Sequence, residues 1–279
     1  MDLKNINLMN DALFKAMMCH KNNRRLVVDF LHGVTGIEKE VLEKGTYIGG
    51  EEIPKRNISN KKQMTDLSIL LGNKRRIIVE MNQTFQRNIF HKNMAYAFSV
   101  VIETTEENIT KYPKVILINI DDFNHFKTDK PLLRFNIQDE EGHIETEMYT
   151  SIHLVLANIT NTKYNIDKEI QKFACFLKKT DLEEMGEEYE GDERYMAAKR
   201  TVKDLTSDPE LIGYYDYEEE RKRELAEEKI FAREDGLKEG LEEGARKQAI
   251  ETAKKMQLEG LDADLISRCT GLSKEQISS

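Results

Sequence analysis

The 279-residue chain has little of what several large protein classes depend on. It has no tryptophan, four prolines and three cysteines. Because Cys19, Cys175 and Cys269 are odd in number and far apart, a disulfide framework and a cysteine metal site are excluded. No apolar run approaches the roughly 18 residues of a membrane span, and the N-terminus lacks the pattern of a secretory signal. We therefore expect a reduced, cytoplasmic protein with no membrane segment.

Several motifs for nucleotide binding and nucleophilic catalysis are also missing. The chain has no G-x-x-x-x-G-K-S/T phosphate loop and no G-x-G-x-x-G motif after a strand. No serine or cysteine lies in a local context that would activate it as a nucleophile. The six histidines show no metal-ligand spacing. The carboxylates of Asp and Glu are therefore the remaining candidates for catalytic or metal-binding groups.

Charge is distributed unevenly along the chain. The net charge of −9 argues against a generally nucleic-acid-binding surface, yet residues 1–100 hold 16 Lys and Arg against 10 Asp and Glu. Basic doublets in this part, such as Lys61-Lys62 and Arg75-Arg76, form a local electrostatic footprint compatible with phosphate contacts. Ordinary solubilisation of the surface explains any single doublet equally well.

Residues 62–83 form the most informative stretch. Two apolar, β-branched runs flank the residues Gly72-Asn73-Lys74, which is typical of a β-hairpin. With these three residues as the loop, Asp66 lies directly opposite Glu80. Opposed residues of an antiparallel pair share a face, with Cβ atoms about 5 Å apart, and strand alternation adds Asn82 to that face.

Two carboxylates that converge beside apolar neighbours need a shared proton or a cation between them. Mg²⁺ suits such a pair, because it takes one or two carboxylates and leaves most of its shell to water and phosphate oxygens. We therefore predict a metal site at Asp66 and Glu80 for Mg²⁺, with Mn²⁺ as a possible substitute. Two alternatives stay open: a solvated pair, or a register slipped by one residue, which would send the two side chains to opposite faces.

The remaining pattern predicts a mixed α/β protein. Residues 114–120 form a continuous apolar run, typical of a strand buried on both faces of a sheet. In the helix predicted at 84–107, we expect Phe85 and Met94 among the inward-facing side chains. The other predicted elements are one or two helices in 10–32, a polar strand in 46–58, strands near 132–138 and 143–156, and helices from Asp167 onward.

We place a domain boundary after residue 207, which divides the chain into a domain of residues 1–207 and a charged helical tail of residues 208–279. Gly236, Gly240 and Gly244 recur every fourth residue in the tail, and each costs a helix about 1 kcal/mol, so we expect a partly frayed connector. Ser273 and Gln276 have the spacing of a capping box. The segment around them is similar to the opening of a helix-turn-helix, which would serve either DNA reading or packing between copies of the chain.

Several motifs in chain order resemble those of the transposase-associated recombination-promoting nuclease (Rpn) family, within the PD-(D/E)XK nuclease superfamily. The motifs are Asp11-x-x-Phe14-Lys15, Thr65-Asp66-Leu67, Ile77-Ile-Val-Glu80-Met-Asn82, Lys92-x-x-x-Tyr96, Tyr112-Pro-Lys-Val-Ile-Leu-Ile-Asn-Ile and Thr270-Gly-Leu-Ser-Lys-Glu. The resemblance implies a restriction-endonuclease-like core, with a mixed central sheet flanked by helices and a C-terminal helical tail. It also implies Mg²⁺-dependent cleavage of DNA phosphodiester bonds, with Asp66 and Glu80 at the two acidic positions of the superfamily motif.

One position departs from that motif. The superfamily usually has Lys two residues after the Glu, and the family often has Gln, whereas this chain has Asn82. An amide can orient a water but supplies no charge to the developing anion. Two alternatives follow: the activity is weak, or the charge comes from elsewhere, with Lys62 as the candidate. We expect Asn82 to position the nucleophilic water, and Lys62, Arg87 and Lys92 to bind the DNA backbone.

The resulting hypothesis is a metal-dependent DNA endonuclease linked to a mobile element or to recombination. The alternative is a non-catalytic DNA-binding or assembly protein that keeps the nuclease fold after losing the lysine. We also expect that the C-terminal tail can join copies of the chain into a homo-oligomer.

Overall fold

The computed structural model describes residues 6–49, 52–53, 63–72, 75–103, 113–207 and 217–278. The chain divides into two compact units, Met1–Gly213 and Tyr214–Ser279, and each has a hydrophobic cluster of its own. The boundary after residue 207, as the limit of an independently folding domain, stays a prediction.

The first unit contains helices and strands in mixed order. Its α-helices are α1 (Asp11–Cys19), α2 (Arg24–Thr35), α3 (Lys39–Glu43), α4 (Ile89–Glu103), α5 (Lys168–Leu177), α6 (Leu182–Glu188) and α7 (Glu193–Thr206). Its strands are β1 (Thr46–Gly49), β2 (Glu52–Ile53), β3 (Gln63–Met64), β4 (Leu67–Leu70), β5 (Arg75–Asn82), β6 (Lys114–Asp121), β7 (Leu132–Gln138) and β8 (Ile144–Val155). Short 3-10 helices occupy Lys21–Asn23 and Leu156–Asn158.

Six strands form one mixed sheet in the order β1-β4-β5-β6-β8-β7, and β2 pairs with β3 separately. The strands β5, β6 and β8 are parallel, whereas β1, β4 and β7 run antiparallel to their neighbours. The sheet and its flanking helices confirm the predicted restriction-endonuclease-like α/β fold. The apolar run at 114–120 is the central strand β6, as predicted.

The hairpin has the predicted register. Leu67 pairs with Val79 in the β4–β5 ladder, so one further step places Asp66 opposite Glu80. At the other end of the hairpin, the backbone N–H of Leu71 donates to the carbonyl oxygen of Arg75 at 2.9 Å. Loop residues 73–74 lie outside the described residues.

The two faces of the sheet pack against different helices. One face carries residues such as Val79, Ile118 and Ile152 into the main core, together with side chains of α1, α2 and α5 to α7. On the opposite face, Ile78 and Leu117 pack with α4 in a smaller cluster. Because side chains alternate along a strand, Glu80, Asn82, Asn119 and Asp121 continue this smaller face toward the carboxyl ends of β5 and β6.

Two details of the helix predicted at 84–107 are wrong. The helix predicted at 84–107 begins at Ile89, after Asn88, a residue type favoured before helices. Phe85 and Met94, expected inside, are 39% and 40% exposed. In the range 46–58, for which a strand was predicted, the described residues Thr46–Gly49 and Glu52–Ile53 are strands, and residues 50–51 and 54–58 lie outside the described residues.

The second unit contains α8 (Tyr217–Leu258), α9 (Ala263–Thr270) and α10 (Lys274–Ser278). The expectation of a frayed connector is wrong, because α8 is one continuous helix of 42 residues through its three glycines. Pairs four residues apart stabilise it, such as Glu243 with Lys247 and Glu251 with Lys255. The capping box is present: the Ser273 N–H donates to Gln276 Oε1 at 2.9 Å. Within the described ranges, no helix is long and apolar enough to cross a bilayer.

Candidate functional site

Two buried carboxylates lie where β4 begins beside β5. Asp66 is 5% exposed and Glu80 is 6% exposed. The backbone N–H of Met81 donates to Oδ2 of Asp66 at 2.7 Å. That bond fixes the Asp66 carboxylate against the β5 backbone directly beside Glu80. Both carboxylates are therefore buried, and the β4–β5 ladder has the register that was predicted for the hairpin. Their role as a metal site stays a prediction.

A lysine from α1 reaches this pair. The Nζ atom of Lys15 lies 3.3 Å from Oδ1 of Asp66, and its side chain is 20% exposed. No role was predicted for Lys15, although it belongs to one of the motifs that carry the family resemblance. Lys62, predicted to bind DNA and to bring charge to the same place, lies outside the described residues. The cation that the structure places at Asp66 therefore comes from the N-terminal helix.

The charges around Asp66 also affect the pKa of the Cys19 thiol, which lies one turn after Lys15 on α1. Burial makes the largest contribution and raises the pKa of Cys19. The positive charges of Arg24 and Lys15 lower this pKa, whereas the negative charge of Asp66 raises it further. The net effect is a raised pKa, which lowers the reactive thiolate fraction of Cys19.

Asn82 belongs to a buried network of polar side chains. Its Nδ2 donates to Oδ1 of Asp121 at 2.8 Å, and its Oδ1 accepts a hydrogen bond of 3.2 Å from Nδ2 of Asn93 on α4. Asn93 Nδ2 also donates to Oδ1 of Asn119 at 2.9 Å. The amide of Asn82 is thus oriented by two neighbouring elements, with one of its two amide hydrogens used by Asp121.

His153 on β8 closes the network. Its Nδ1 lies 2.7 Å from Oδ2 of Asp121, and because a carboxylate only accepts, Nδ1 is the donor of this bond. Nε2 lies 3.2 Å from Oγ of Ser151 and 3.3 Å from Nδ2 of Asn119. Both oxygens of Asp121 are therefore bonded, one by Asn82 and one by His153.

Most members of this polar network were not predicted from the sequence. The structure places Asp121, which follows the apolar run 114–120, in the network with its side chain 1% exposed. The alternation of polar and apolar residues could have indicated this network. Asn119 and Asp121 lie two residues apart on one apolar strand, and Ser151 and His153 lie two residues apart on another. Polar residues at every second position of a buried strand indicate one polar face.

The candidate DNA-binding residues lie just after β5. Arg87 and Lys92 are exposed, as is His91 beside them. The Nζ atom of Lys92 lies 5.6 Å above the ring of Tyr96, which orients the side chain along α4. The segment 83–102 contains no Asp or Glu, so it has a positive local charge in a chain that is acidic as a whole.

The two carboxylates are a suitable donor set for a hard divalent ion. Among the described residues, no three His, Cys, Asp or Glu side chains form a metal-binding group. Mg²⁺ needs only one or two carboxylates, with water and phosphate oxygens as its other ligands.

Comparison with known families gives one match. Residues 8–232 match the model of a family described as PD-(D/E)XK nuclease family transposase. The matched range contains both carboxylates, Lys15 and the whole sheet. No curated protein and no solved structure is significantly similar to the chain.

Proposed function

Since the chain belongs to the PD-(D/E)XK nuclease family transposases, we propose that it is a metal-dependent DNA endonuclease acting in recombination or in the movement of a mobile element. The observation that carries this proposal is the buried pair Asp66 and Glu80, held at facing strand positions beside the cation of Lys15. Two carboxylates removed from water in this way are costly in a purely structural role.

Asp66 and Glu80 are the residues that would hold the metal. A bound Mg²⁺ or Mn²⁺ supplies an activated water and charge stabilisation at the phosphate that is attacked. The N–H of Met81 donates a hydrogen bond of 2.7 Å to Oδ2 of Asp66, and this bond holds the carboxylate in place. The other oxygen, Oδ1, faces Lys15.

Lys15 replaces the charge that Asn82 lacks. An ammonium group near the carboxylates stabilises negative charge that develops on a phosphate oxygen, and Lys15 has its Nζ at Asp66. Asn82 holds its amide in a fixed direction through Asp121 and Asn93. The bond to Asp121 leaves a second amide hydrogen, with which Asn82 orients the attacking water.

DNA is the substrate that the charge pattern favours. Arg87 and Lys92 contact the phosphate backbone from the basic segment 83–102, with Lys62 as a further contact. The three described cysteines are free, in keeping with a cytoplasmic enzyme whose thiols stay reduced.

The test is cleavage of supercoiled plasmid with Mg²⁺ or Mn²⁺, with and without EDTA. We expect nicked and linear DNA only when the metal is present, and no cleavage by Glu80→Gln protein of unchanged thermal stability. Full activity in EDTA, or in the Glu80→Gln protein, would contradict the proposal. DNA binding without cleavage under every metal condition would instead favour the alternative, a DNA-binding or assembly protein that keeps the fold.

A further inference from the structure

Aromatic side chains gather beside the candidate site. They come from the loop after β5, the first turn of α4, the loop after β6, and β7. This aromatic patch consists of Phe85, Phe90, Phe123, His125, Phe126 and Phe135. It contains five of the eleven phenylalanines in the chain, although these segments make up a small part of its length, so the concentration is local.

The rings contact one another in stacked and edge-on arrangements. Phe85 stacks on His125 with ring centroids 4.4 Å apart, and Phe90 stacks on Phe126 at 5.5 Å. Phe85 also meets Phe123 edge-on at 5.4 Å. These contacts hold the rings in fixed orientations before any ligand binds, which lowers the entropy cost of binding a planar group.

The patch is open to solvent, unlike the two cores of the sheet. Phe85 is 39% exposed and Phe135 is 41% exposed. His125 is exposed as well, and Phe90 and Phe126 are half-buried. A cluster of rings that served only as core would be closed off from water, so this surface has the form of a binding platform.

The patch is continuous with the candidate site through His153. The ring of His153 meets Phe90, Phe126 and Phe135 edge-on, with centroids 4.9, 5.0 and 5.4 Å apart. Its Nδ1 lies 2.7 Å from the Asp121 carboxylate that also binds Asn82. A ligand on the patch would therefore lie next to the polar network that orients Asn82.

Charge favours a nucleic acid over a protein as the occupant. Phe85 and Phe90 belong to the acid-free segment 83–102, in which Arg87 and Lys92 are exposed. Exposed rings combined with cations are what single-stranded nucleic acids bind, because each base stacks on a ring while the cations follow the phosphates. Bases inside a continuous duplex are already stacked on each other, so their faces do not reach such rings.

We propose that the aromatic patch binds unpaired bases, and that the substrate of the site is DNA with unpaired nucleotides next to the cleaved backbone. The proposal rests on the proposed nuclease function for its catalytic part, while the binding part stands by itself. It adds a preference for strand ends, gaps or bubbles that the two carboxylates alone do not provide.

The test compares two DNA probes in EDTA, so that binding is measured without cleavage. One probe is a duplex with a four-nucleotide gap that places 2-aminopurine in the unpaired strand, and the other is the same duplex without the gap. For the wild-type protein we expect tighter binding of the gapped probe by fluorescence anisotropy, and quenching of 2-aminopurine as it stacks. Phe85→Leu and Phe135→Leu keep apolar volume but remove the aromatic face, so each should weaken binding of the gapped probe roughly tenfold and reduce the quenching.

Ile144→Ser is the matched control. Ile144 is an exposed apolar residue, 53% exposed, on the hairpin that also carries Phe135, and its replacement should leave both affinities unchanged. Equal affinity of the wild type for the two probes, or unchanged quenching in the Phe85→Leu and Phe135→Leu proteins, would overturn the proposal. Plasmid cleavage with no preference for gapped DNA would overturn it too while sustaining the nuclease function. Ring-dependent binding of the gapped probe without any cleavage would sustain the platform and refute the nuclease function.

Discussion

The Nζ atom of Lys15 lies 3.3 Å from Oδ1 of Asp66, although 51 positions separate the two residues in the sequence. The contact brings α1 to the start of β4 and places a positive charge at the buried carboxylate pair. A lysine two residues after Glu80 would provide a similar charge from the strand itself, but that position is Asn82. The positive charge at Asp66 therefore comes from a helix, whereas the superfamily motif places its lysine on the strand.

Replacing Lys15 should slow DNA cleavage more than it affects folding. We expect Lys15→Met to lower the cleavage rate by roughly 100- to 1000-fold, the usual loss when one group that stabilises a developing anion is removed. Lys15→Arg should retain part of the activity because it keeps the charge. The measurement is single-turnover cleavage at saturating Mg²⁺. Lys39→Met is the control, since it removes an ion pair to Asp29 on α2; equal rates for the Lys15→Met and Lys39→Met proteins would refute the role of Lys15.

Neutralising either carboxylate should abolish both cleavage and the response to metal. In Glu80→Gln and Asp66→Asn proteins, the mutual repulsion of the buried pair is relieved. We therefore expect a melting temperature in EDTA equal to or above that of the wild type for Glu80→Gln, and no rise on addition of Mg²⁺. Differential scanning fluorimetry with a Mg²⁺ titration measures this. A Glu80→Gln protein that Mg²⁺ stabilises as strongly as the wild type would end the assignment of the metal site.

Asn93 should be important for stability because it donates to two buried acceptors. Asn93→Leu leaves the amide oxygens of Asn82 and Asn119 without this donor. A buried polar group that loses its partner costs about 1–3 kcal/mol, so we expect a loss of that order in the free energy of unfolding by urea. Ser99→Ala on the same helix is the control, since its hydroxyl bonds only to the carbonyl oxygen of Ala95. Similar stabilities of the two variants would contradict the importance of the network.

Acid should weaken the ion pairs that join α5 to α7. Hydrogen bonds from the Arg194 guanidinium hold the pKa of Asp192 well below its usual range, although partial burial opposes this. Because the folded-state pKa is depressed, the stabilisation is complete above the unfolded pKa of about 4 and is lost as the pH falls below it. The difference in unfolding free energy between wild type and Asp192→Asn should therefore shrink from pH 6 to pH 2.

Asn is a suitable replacement at this position because it keeps the cap of α7, where Asp192 accepts the N–H of Arg194. Asp129→Asn provides the comparison: Asp129 pairs with Lys163 at the surface, where solvent screens the charges. Urea unfolding at several pH values is the measurement. A constant difference between wild type and Asp192→Asn down to pH 2 would show that the carboxylate charge contributes nothing to stability.

Removing the C-terminal unit should leave the first unit folded. The sheet clusters lie entirely within Met1–Gly213, and the cluster of Ala253, Ile266, Leu272 and Ile277 lies within Tyr214–Ser279. Light scattering of the full chain and of residues 1–213 tests whether the tail forms oligomers; we expect a lower mass after truncation, with retained cleavage of short DNA at high protein concentration. An unchanged mass with a large loss of DNA affinity would favour a DNA-reading tail.

Local patterns of the sequence were enough to predict the hairpin and its register. The turn residues 72–74 and the alternation of the flanking strands determine that Asp66 faces Glu80, and no distant contact is needed. The strands β6 to β8 were predicted for the same reason, since apolar runs and turns define them. The family resemblance then supplied the mixed order of the sheet.

The contacts that could not be predicted join elements far apart in the chain. The Lys15–Asp66 contact depends on how α1 packs beside β4, and the Asn82–Asp121 bond depends on the parallel register of β5 and β6. Exposure of Phe85 depends on where α4 begins. For α8, the cost of three glycines was overestimated, since charge pairs along a long helix offset it.

The polar network also has a consequence for the order in which the parts of the fold assemble. Asp66 and Glu80 meet within one local hairpin, which forms early because short loops close at low entropy cost. The bonds from Asp121 to Asn82 and His153 close only after three parallel strands have joined through long crossovers. A chain still leaving the ribosome can therefore form this hairpin before Asn82 is oriented, and the complete network requires that synthesis has passed β8.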